Sequence, residues 1–173
     1  MSEKLGKTVL VVDDEPDVRL FLKTVLEDAG FDVMLAANGK EALERVTEKK
    51  PDVISLDLVM PKMSGLKFYK YIQKNEERAD IPVVVVTAHA KDEMGKGDLA
   101  KIEAARPARG VLLMLEKPIQ PDAYLKAIRK AAGLEEVEVE ETGEQATLRK
   151  QVAEKIQKAS KETLQEVLKI LSK

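Results

Sequence analysis

Short apolar runs alternate with amphipathic stretches over about the first 133 of the 173 residues. Five apolar runs predict β-strands, at residues 8–12, 32–35, 52–56, 82–86 and 111–115. Between and after these runs, apolar side chains recur at helical spacing, which predicts five helices. Because strands and helices alternate, we predict an α/β fold with a five-stranded parallel sheet covered by helices on both faces.

Proline and glycine predict most of the helix boundaries. The first helix begins at Pro16, which suits a first helical turn, and ends at Gly30. The second helix must end before Pro51, since proline excludes the helical conformation for the residue that precedes it. Asn38-Gly39 predicts a turn. The segment after the fourth strand is polar, and we expect a helix only around residues 99–105, followed by a fifth helix at 122–132.

Charge and composition exclude several classes of protein. The 29 basic and 31 acidic side chains leave a net charge of −2, which provides no general attraction to nucleic acid or to anionic lipid. No apolar run is long enough to span a bilayer, and the amino terminus lacks the hydrophobic stretch of a secretory signal. The chain has no cysteine, which excludes disulfides and thiolate metal sites. We expect a cytoplasmic protein without membrane or nucleic-acid partners.

Polar side chains stand at the ends of four predicted strands. Asp13 and Asp14 follow the first strand, Asp57 the third, Thr87 the fourth and Lys117 the fifth. Ligands of such sheets bind at the carboxyl ends of the strands, where the strand order reverses. Clustered carboxylates without histidine or thiolate suit Mg²⁺. A lysine and a threonine nearby suit a phosphoryl group, and an aspartate can itself be the nucleophile that accepts it.

These five residues, together with Lys117-Pro118 and the loop DLVMPKMSG at 57–65, resemble the receiver domain of two-component response regulators. The resemblance covers about residues 7–133. It implies a doubly wound, flavodoxin-like sheet in the order 2-1-3-4-5. It also implies that Asp57 accepts a phosphoryl group from a sensor histidine kinase or a phosphotransfer protein, and that the chain signals by protein contact rather than acting as a turnover enzyme.

The resemblance further implies a role for each site residue. Asp14 and Asp57 would bind Mg²⁺ directly with the backbone carbonyl of Val59, while Asp13 would act mainly through water. The other two residues, Thr87 and Lys117, would contact the phosphoryl oxygens. This arrangement accelerates phosphoryl transfer by positioning and charge neutralisation.

Each site residue also has an ordinary interpretation when it is taken alone. An aspartate after a strand is often a turn former, and Asp13 or Asp14 could cap the helix that begins at Pro16. Threonine is common in strands, and a lone lysine is commonly a surface charge. Glu15 is interpreted as a solvated residue at the helix start and is left outside the site.

Three features depart from the family pattern or lie beside the site. Thr87 and Lys117 are 30 residues apart (117 − 87), several more than is usual for receivers. Met114 stands where the family usually has an aromatic ring that moves with the threonine, so an aromatic switch is not expected. His89 is either a solvated loop residue or, with Val59, a group that controls access of water to the phosphoryl group.

The last forty residues differ from the rest in composition. Residues 134–145 are rich in glutamate and predict an acidic linker between a receiver domain at 1–133 and an amphipathic helix at 146–173. The segment is too short for the DNA-binding domains common in this family and has no basic stripe. The helix could form a homodimer, bind a partner helix through residues 146–171, or fold back on the receiver.

Two other functions compete with a phosphorylation switch. The chain could be an interaction module with a receiver fold that no longer switches, which Met114 favours. It could also be a metal-dependent phosphatase or another hydrolase on a similar sheet. Such an enzyme would have a second acid two residues after its nucleophile, and that position is Val59.

Overall fold

The computed structural model describes residues 3–88, 93–105 and 111–134. The five strands are β1 (Thr8–Val12), β2 (Asp32–Ala36), β3 (Val53–Leu56), β4 (Val83–Thr87) and β5 (Leu112–Glu116). The five helices are α1 (Pro16–Asp28), α2 (Gly39–Glu48), α3 (Gly65–Gln73), α4 (Glu93–Ala104) and α5 (Pro121–Ala131).

The strands form one parallel sheet in the order β2-β1-β3-β4-β5, as predicted. In the register of the sheet, Val12 pairs with Ala36 on one side and with Leu56 on the other, so the strands beside β1 end level with it. The chain leaves β1 in one direction to form β2 and returns to its other side to form β3. The residues that follow β1 and β3 therefore meet at the point where the strand order reverses.

Side chains of the sheet alternate between two apolar layers, as the period of a strand requires. Leu10 and Val12 pack in one layer with α2, α3 and α4, while Val9 and Val11 pack in the other with α1 and α5. All residues of β1, β3 and β4 are buried, because helices cover both faces of these inner strands.

The predicted strands are all present, with ends that differ by at most one residue from the prediction. The turn predicted at Asn38-Gly39 is wrong. Asn38 is the N-cap of α2, since its side-chain oxygen accepts a hydrogen bond from the Glu41 N–H at 3.0 Å, and Gly39 is the first helical residue. Helix α4 is longer than predicted. It includes Gly97, which lowers helix propensity, and the buried Ile102 anchors it to the core.

Residues 135–173 lie outside the described residues, and so does His89. They include the predicted helix at 146–173 and all of the predicted linker except its first residue, and the domain boundaries stay predictions. Within the described part of the chain, no helix combines the length and apolar character that crossing a membrane requires.

Candidate functional site

Three carboxylates converge at the point where the strand order reverses. Asp13, Asp14 and Asp57 each place one carboxylate oxygen so that the three oxygens lie within 4.8 Å of one another. Asp13 and Asp57 are buried, with 2% and 5% of their surface exposed, and Asp14 is half-buried. We call these three residues the acidic pocket. Like charges at this separation repel one another, and burial strengthens the repulsion, so the pocket needs a compensating cation.

The loop between β1 and α1 holds Asp13 through its backbone and its side chain. The Asp13 N–H donates to the carbonyl of Ala36 at 3.2 Å, and its carbonyl accepts from Nη1 of Arg19 at 2.7 Å. Its Oδ1 accepts from the backbone N–H of Glu15 at 3.0 Å. These contacts leave little freedom to the carboxylate that ends the first strand.

The loop between β3 and α3 holds Asp57 in a similar way. The Asp57 N–H donates to the carbonyl of Val12 at 2.9 Å, and its Oδ1 accepts from the N–H of Val59 at 3.3 Å. The Gly65 N–H donates to the carbonyl of Leu58 at 3.0 Å. A Cβ at Gly65 would overlap the backbone carbonyl of Asp57, so the loop can close this tightly only with glycine there.

Lys117 supplies the cation. Its Nζ lies 2.9 Å from Oδ2 of Asp13, 3.0 Å from Oε1 of Glu15 and 3.5 Å from Oδ2 of Asp57. Its backbone N–H donates to the carbonyl of Thr87 at 3.0 Å, which joins the ends of β4 and β5. The side chain of Lys117 is only 13% exposed, so its charge is poorly screened by water.

Burial changes the ionisation of both partners. It raises the pKa of Asp57 from 3.8 to about 6; the charge of Lys117 opposes the rise and that of Asp13 adds to it. Burial alone would lower the pKa of Lys117. Hydrogen bonds to Asp13 and Glu15, with the charge of Asp57, outweigh burial and raise the pKa of Lys117 above its usual value.

The structure brings together most of the residues selected from the sequence. The acidic pocket and Lys117 are in contact, and Thr87 is buried beside them at the end of β4. Val59 adjoins Asp57 through its backbone. The methionine at the position of the missing aromatic residue, Met114, is 46% exposed on β5.

The interpretation of Glu15 as merely solvated is wrong. Glu15 is the N-cap of α1, and its carboxylate pairs with Lys117. The sequence puts Glu15 directly after two acids, at the same edge of the sheet as Lys117. Side-chain direction at a helix start, however, does not follow from residue spacing.

The donor set of the acidic pocket fits a hard divalent cation. It consists of three carboxylates, and no histidine or cysteine belongs to the cluster found among the described residues. Oxygen ligands of this kind suit Mg²⁺, whose charge would relieve the repulsion that Lys117 alone only partly offsets.

Comparison with known proteins agrees with this geometry. The family "Response regulator receiver domain" matches residues 9–129. The chemotaxis protein CheY of Thermotoga maritima is 36% identical over 129 residues, which are 74% of this chain and 99% of that protein.

Two solved structures are similar in fold. The chemotaxis protein CheY4 of Vibrio cholerae aligns with a TM-score of 0.63 and 29% identity, over 75% of this chain and 99% of that one. The receiver domain of the sensor histidine kinase PA1611 of Pseudomonas aeruginosa, with a magnesium ion coordinated in its active-site cleft, has a TM-score of 0.64 and 23% identity, over 74% of this chain and 98% of that one. The chain thus belongs to the response regulator receiver domain family of two-component signalling.

Proposed function

We propose that the chain is a response regulator that accepts a phosphoryl group on Asp57 from a sensor histidine kinase or a phosphotransfer protein. The observation that carries the proposal is the setting of Asp57: a buried carboxylate, within 4.8 Å of two others, with an ammonium group 3.5 Å away. Repulsion among buried carboxylates destabilises the fold, so this arrangement indicates a chemical role for Asp57. An aspartate that receives a phosphoryl group needs both a cation site and a positive charge beside it.

In the proposed transfer, a carboxylate oxygen of Asp57 forms a bond to phosphorus as the bond from phosphorus to the histidine nitrogen breaks. The electron pair stays on that nitrogen. Asp57 is the nucleophile, and a pKa of about 6 leaves most of it ionised near neutral pH. The Val59 N–H, bonded to Oδ1, restrains the carboxylate. Lys117 offsets the charge that the phosphoryl oxygens bring, and the role that we propose for Thr87 is to donate a hydrogen bond to them.

Mg²⁺, when bound, neutralises charge on the carboxylates and on the phosphoryl oxygens. We propose that Asp14, Asp57 and the Val59 carbonyl hold it directly, with Asp13 acting through water. The PA1611 receiver domain, which is similar in fold, has a magnesium ion coordinated in its active-site cleft. In this chain the acidic pocket provides three carboxylates as oxygen donors, which support a Mg²⁺ site.

The output proposed is contact with another protein, without DNA binding. The match to a chemotaxis regulator over 99% of that protein's length supports a receiver that signals without a DNA-binding domain. A homodimer or a partner helix formed through residues 146–171 is part of this proposal, and so is a cytoplasmic location. We do not propose a turnover enzyme, because Val59 occupies the position where a hydrolase of this type would have its second acid.

The test is intact mass spectrometry after incubation with acetyl phosphate and Mg²⁺. We expect one phosphoryl adduct on the wild type, none on Asp57→Asn, and none on the wild type when a chelator removes the metal. Asp122→Asn is the matched control, since Asp122 is an exposed aspartate in the first turn of α5. No adduct on the wild type, or an adduct that survives Asp57→Asn, would overturn the proposal.

The second candidate is a receiver fold that no longer switches, which the exposed Met114 favours. Amide NMR spectra of the wild type with and without beryllofluoride and Mg²⁺ distinguish the two. A switch changes signals on β5 and α5, whereas a module that does not switch changes signals only around the acidic pocket.

A further inference from the structure

The contacts of Lys117 use the full donor capacity of its ammonium group. An ammonium has three N–H donors, and here three carboxylate oxygens, from Asp13, Glu15 and Asp57, lie within 3.5 Å of it. A phosphoryl group on Asp57 brings new oxygens that need the same donors. The contact with Asp57 passes to one of its phosphoryl oxygens, and a second contact with those oxygens displaces Asp13 or Glu15.

The three acceptors differ in what their release would cost. Asp57 becomes an acyl phosphate and is then no longer a carboxylate. The side chain of Asp13 is only 2% exposed, so Asp13 would stay buried without its cation. The side chain of Glu15 is 60% exposed, and water can replace the ammonium there. Separation of a buried pair is strongly unfavourable, whereas separation of an exposed pair costs little. Glu15 is therefore the contact that is released most easily.

The start of α1 explains why Glu15 is available for this contact. Its backbone is extended, with φ −80° and ψ 113°, and its side chain makes no capping hydrogen bond to the helix. Its N–H instead donates to Oδ1 of Asp13, which fixes the backbone of Glu15 beside the acidic pocket. Pro16 follows at the first helical position, which its fixed backbone conformation suits. The carboxylate of Glu15 is thus free to reach Lys117.

We propose that Glu15 is a positioning residue that holds Lys117 while Asp57 is unphosphorylated and competes with the phosphoryl oxygens for the ammonium. This inference rests on the proposed phosphorylation of Asp57. The exchange breaks no covalent bond: one N–H of Lys117 turns from Oε1 of Glu15 to a phosphoryl oxygen, and Glu15 becomes solvated. The wild type therefore binds a phosphoryl group less tightly than a chain without this carboxylate.

The expected consequence is tighter binding of a phosphoryl mimic when Glu15 is neutralised. Glu15→Gln keeps the size of the side chain and removes its charge. Because an exposed ion pair contributes little, we expect the Kd of beryllofluoride with Mg²⁺ to fall by about two- to fivefold. Loss of any negative charge at this edge could also tighten binding. A control variant must therefore show that the fall in Kd comes from the loss of the Glu15–Lys117 contact.

Asp17 supplies the matched control for general charge. It is an exposed acid in the first turn of the same helix and lines the same surface cavity as Lys117. Among the ion pairs of the described residues, none joins Asp17 to Lys117. Asp17→Asn removes one negative charge without removing a partner of the ammonium. We expect it to change the Kd by less than Glu15→Gln does.

The experiment measures two properties of the wild type, Glu15→Gln and Asp17→Asn. The first is the ¹⁵N-detected NMR signal of the Lys117 ammonium in metal-free protein, which we expect to shift in Glu15→Gln and to stay unchanged in Asp17→Asn. The second is the Kd of beryllofluoride in the presence of Mg²⁺. Circular dichroism confirms that the variants are folded, which the exposure of both side chains predicts.

The outcomes separate this inference from the function on which it rests. If the wild type binds beryllofluoride and Glu15→Gln binds it no more tightly than Asp17→Asn, the competition is refuted and the proposed phosphorylation stands. An unchanged Lys117 signal in Glu15→Gln also refutes the pairing. If the wild type forms neither a beryllofluoride complex nor a phosphoryl adduct, the proposed function fails, and the role of Glu15 fails with it.

Discussion

The carboxyl edge of the sheet has two parts that are built differently. The loops after β1 and β3 carry the acidic pocket, and hydrogen bonds hold both Asp13 and Asp57 by backbone and side chain. In contrast, no residue of β5 is fully buried, and Met114 is 46% exposed. Lys117, which follows β5, is the link between the parts. In the first part, hydrogen bonds hold the charged side chains in position before any ligand binds. The second part presents a surface that a partner can contact.

The difference indicates how tightly each part constrains its sequence. Around the acidic pocket, a larger side chain or an added Cβ displaces a buried carboxylate, and the packing leaves no room for the carboxylate elsewhere. On β5, a substitution meets solvent on at least one side. Three substitutions test this contrast, from the region where the largest effect is expected to the region where the smallest is expected.

Gly65→Ala should have the largest effect, since its Cβ would overlap the carbonyl of Asp57. The loop between β3 and α3 must then open, and the hydrogen bond from Gly65 to Leu58 weakens. We expect the free energy of unfolding to fall by about 3 kcal/mol. Urea denaturation measures this value.

Gly97→Ala is the control for the loss of a glycine. Gly97 lies within α4, and a Cβ there would meet nothing within 4 Å. Alanine favours a helix over glycine, so this variant should be more stable by about 0.5 to 1 kcal/mol. Equal effects of the two substitutions would contradict the view that the loop after β3 is the constrained one.

Asp57→Asn should stabilise the metal-free protein, and the gain should depend on pH. Burial raises the pKa of Asp57 from 3.8 to about 6, so between these values the folded protein binds more protons than the unfolded chain. The stability of the wild type therefore falls as pH rises through this window, and the cost of the buried charge is fully present above it. Asparagine removes this cost, which is at most about 3 kcal/mol above pH 6.

Thermal unfolding with a chelator present, from pH 4 to pH 8, measures this dependence. Asp57→Asn should exceed the wild type at pH 8 and match it near pH 4. A gain that is constant across the range would show that the carboxylate of Asp57 is not the source.

The contrast between the two parts also explains what could be predicted from the sequence. The sheet and its acidic pocket were predictable, because strand ends in a parallel sheet meet at one edge and five functional positions fit the family pattern. The direct contact between Asp13 and Lys117 was not itself predicted, but it follows from the convergence of these strand ends. The contact between Glu15 and Lys117 was not predictable, since it depends on where one exposed side chain turns at a helix start.

Two errors have physical causes. Asn38-Gly39 is typical of a turn, but the side-chain oxygen of Asn38 caps α2. Gly39 packs against Met63, so a tertiary contact favours the helix start over the turn. The start of α4 at Glu93 was not predicted, because Gly95 and Gly97 lower helix propensity in its first turns.

Met114→Phe should have the smallest effect, because it tests the part of the edge that is not constrained. Met114 is nearly half exposed and belongs to none of the contacts of the acidic pocket, so the free energy of unfolding should change by less than about 0.5 kcal/mol. The yield of phosphoryl adduct from acetyl phosphate should match that of the wild type. The ring should enlarge the change that beryllofluoride causes in the amide signals of β5, since it provides more apolar surface to move between solvent and core. A solvent-facing side chain should leave the chemistry at Asp57 unchanged. A large loss of adduct in this variant would therefore contradict the contrast between the acidic pocket and β5, because it would show that β5 is constrained as well.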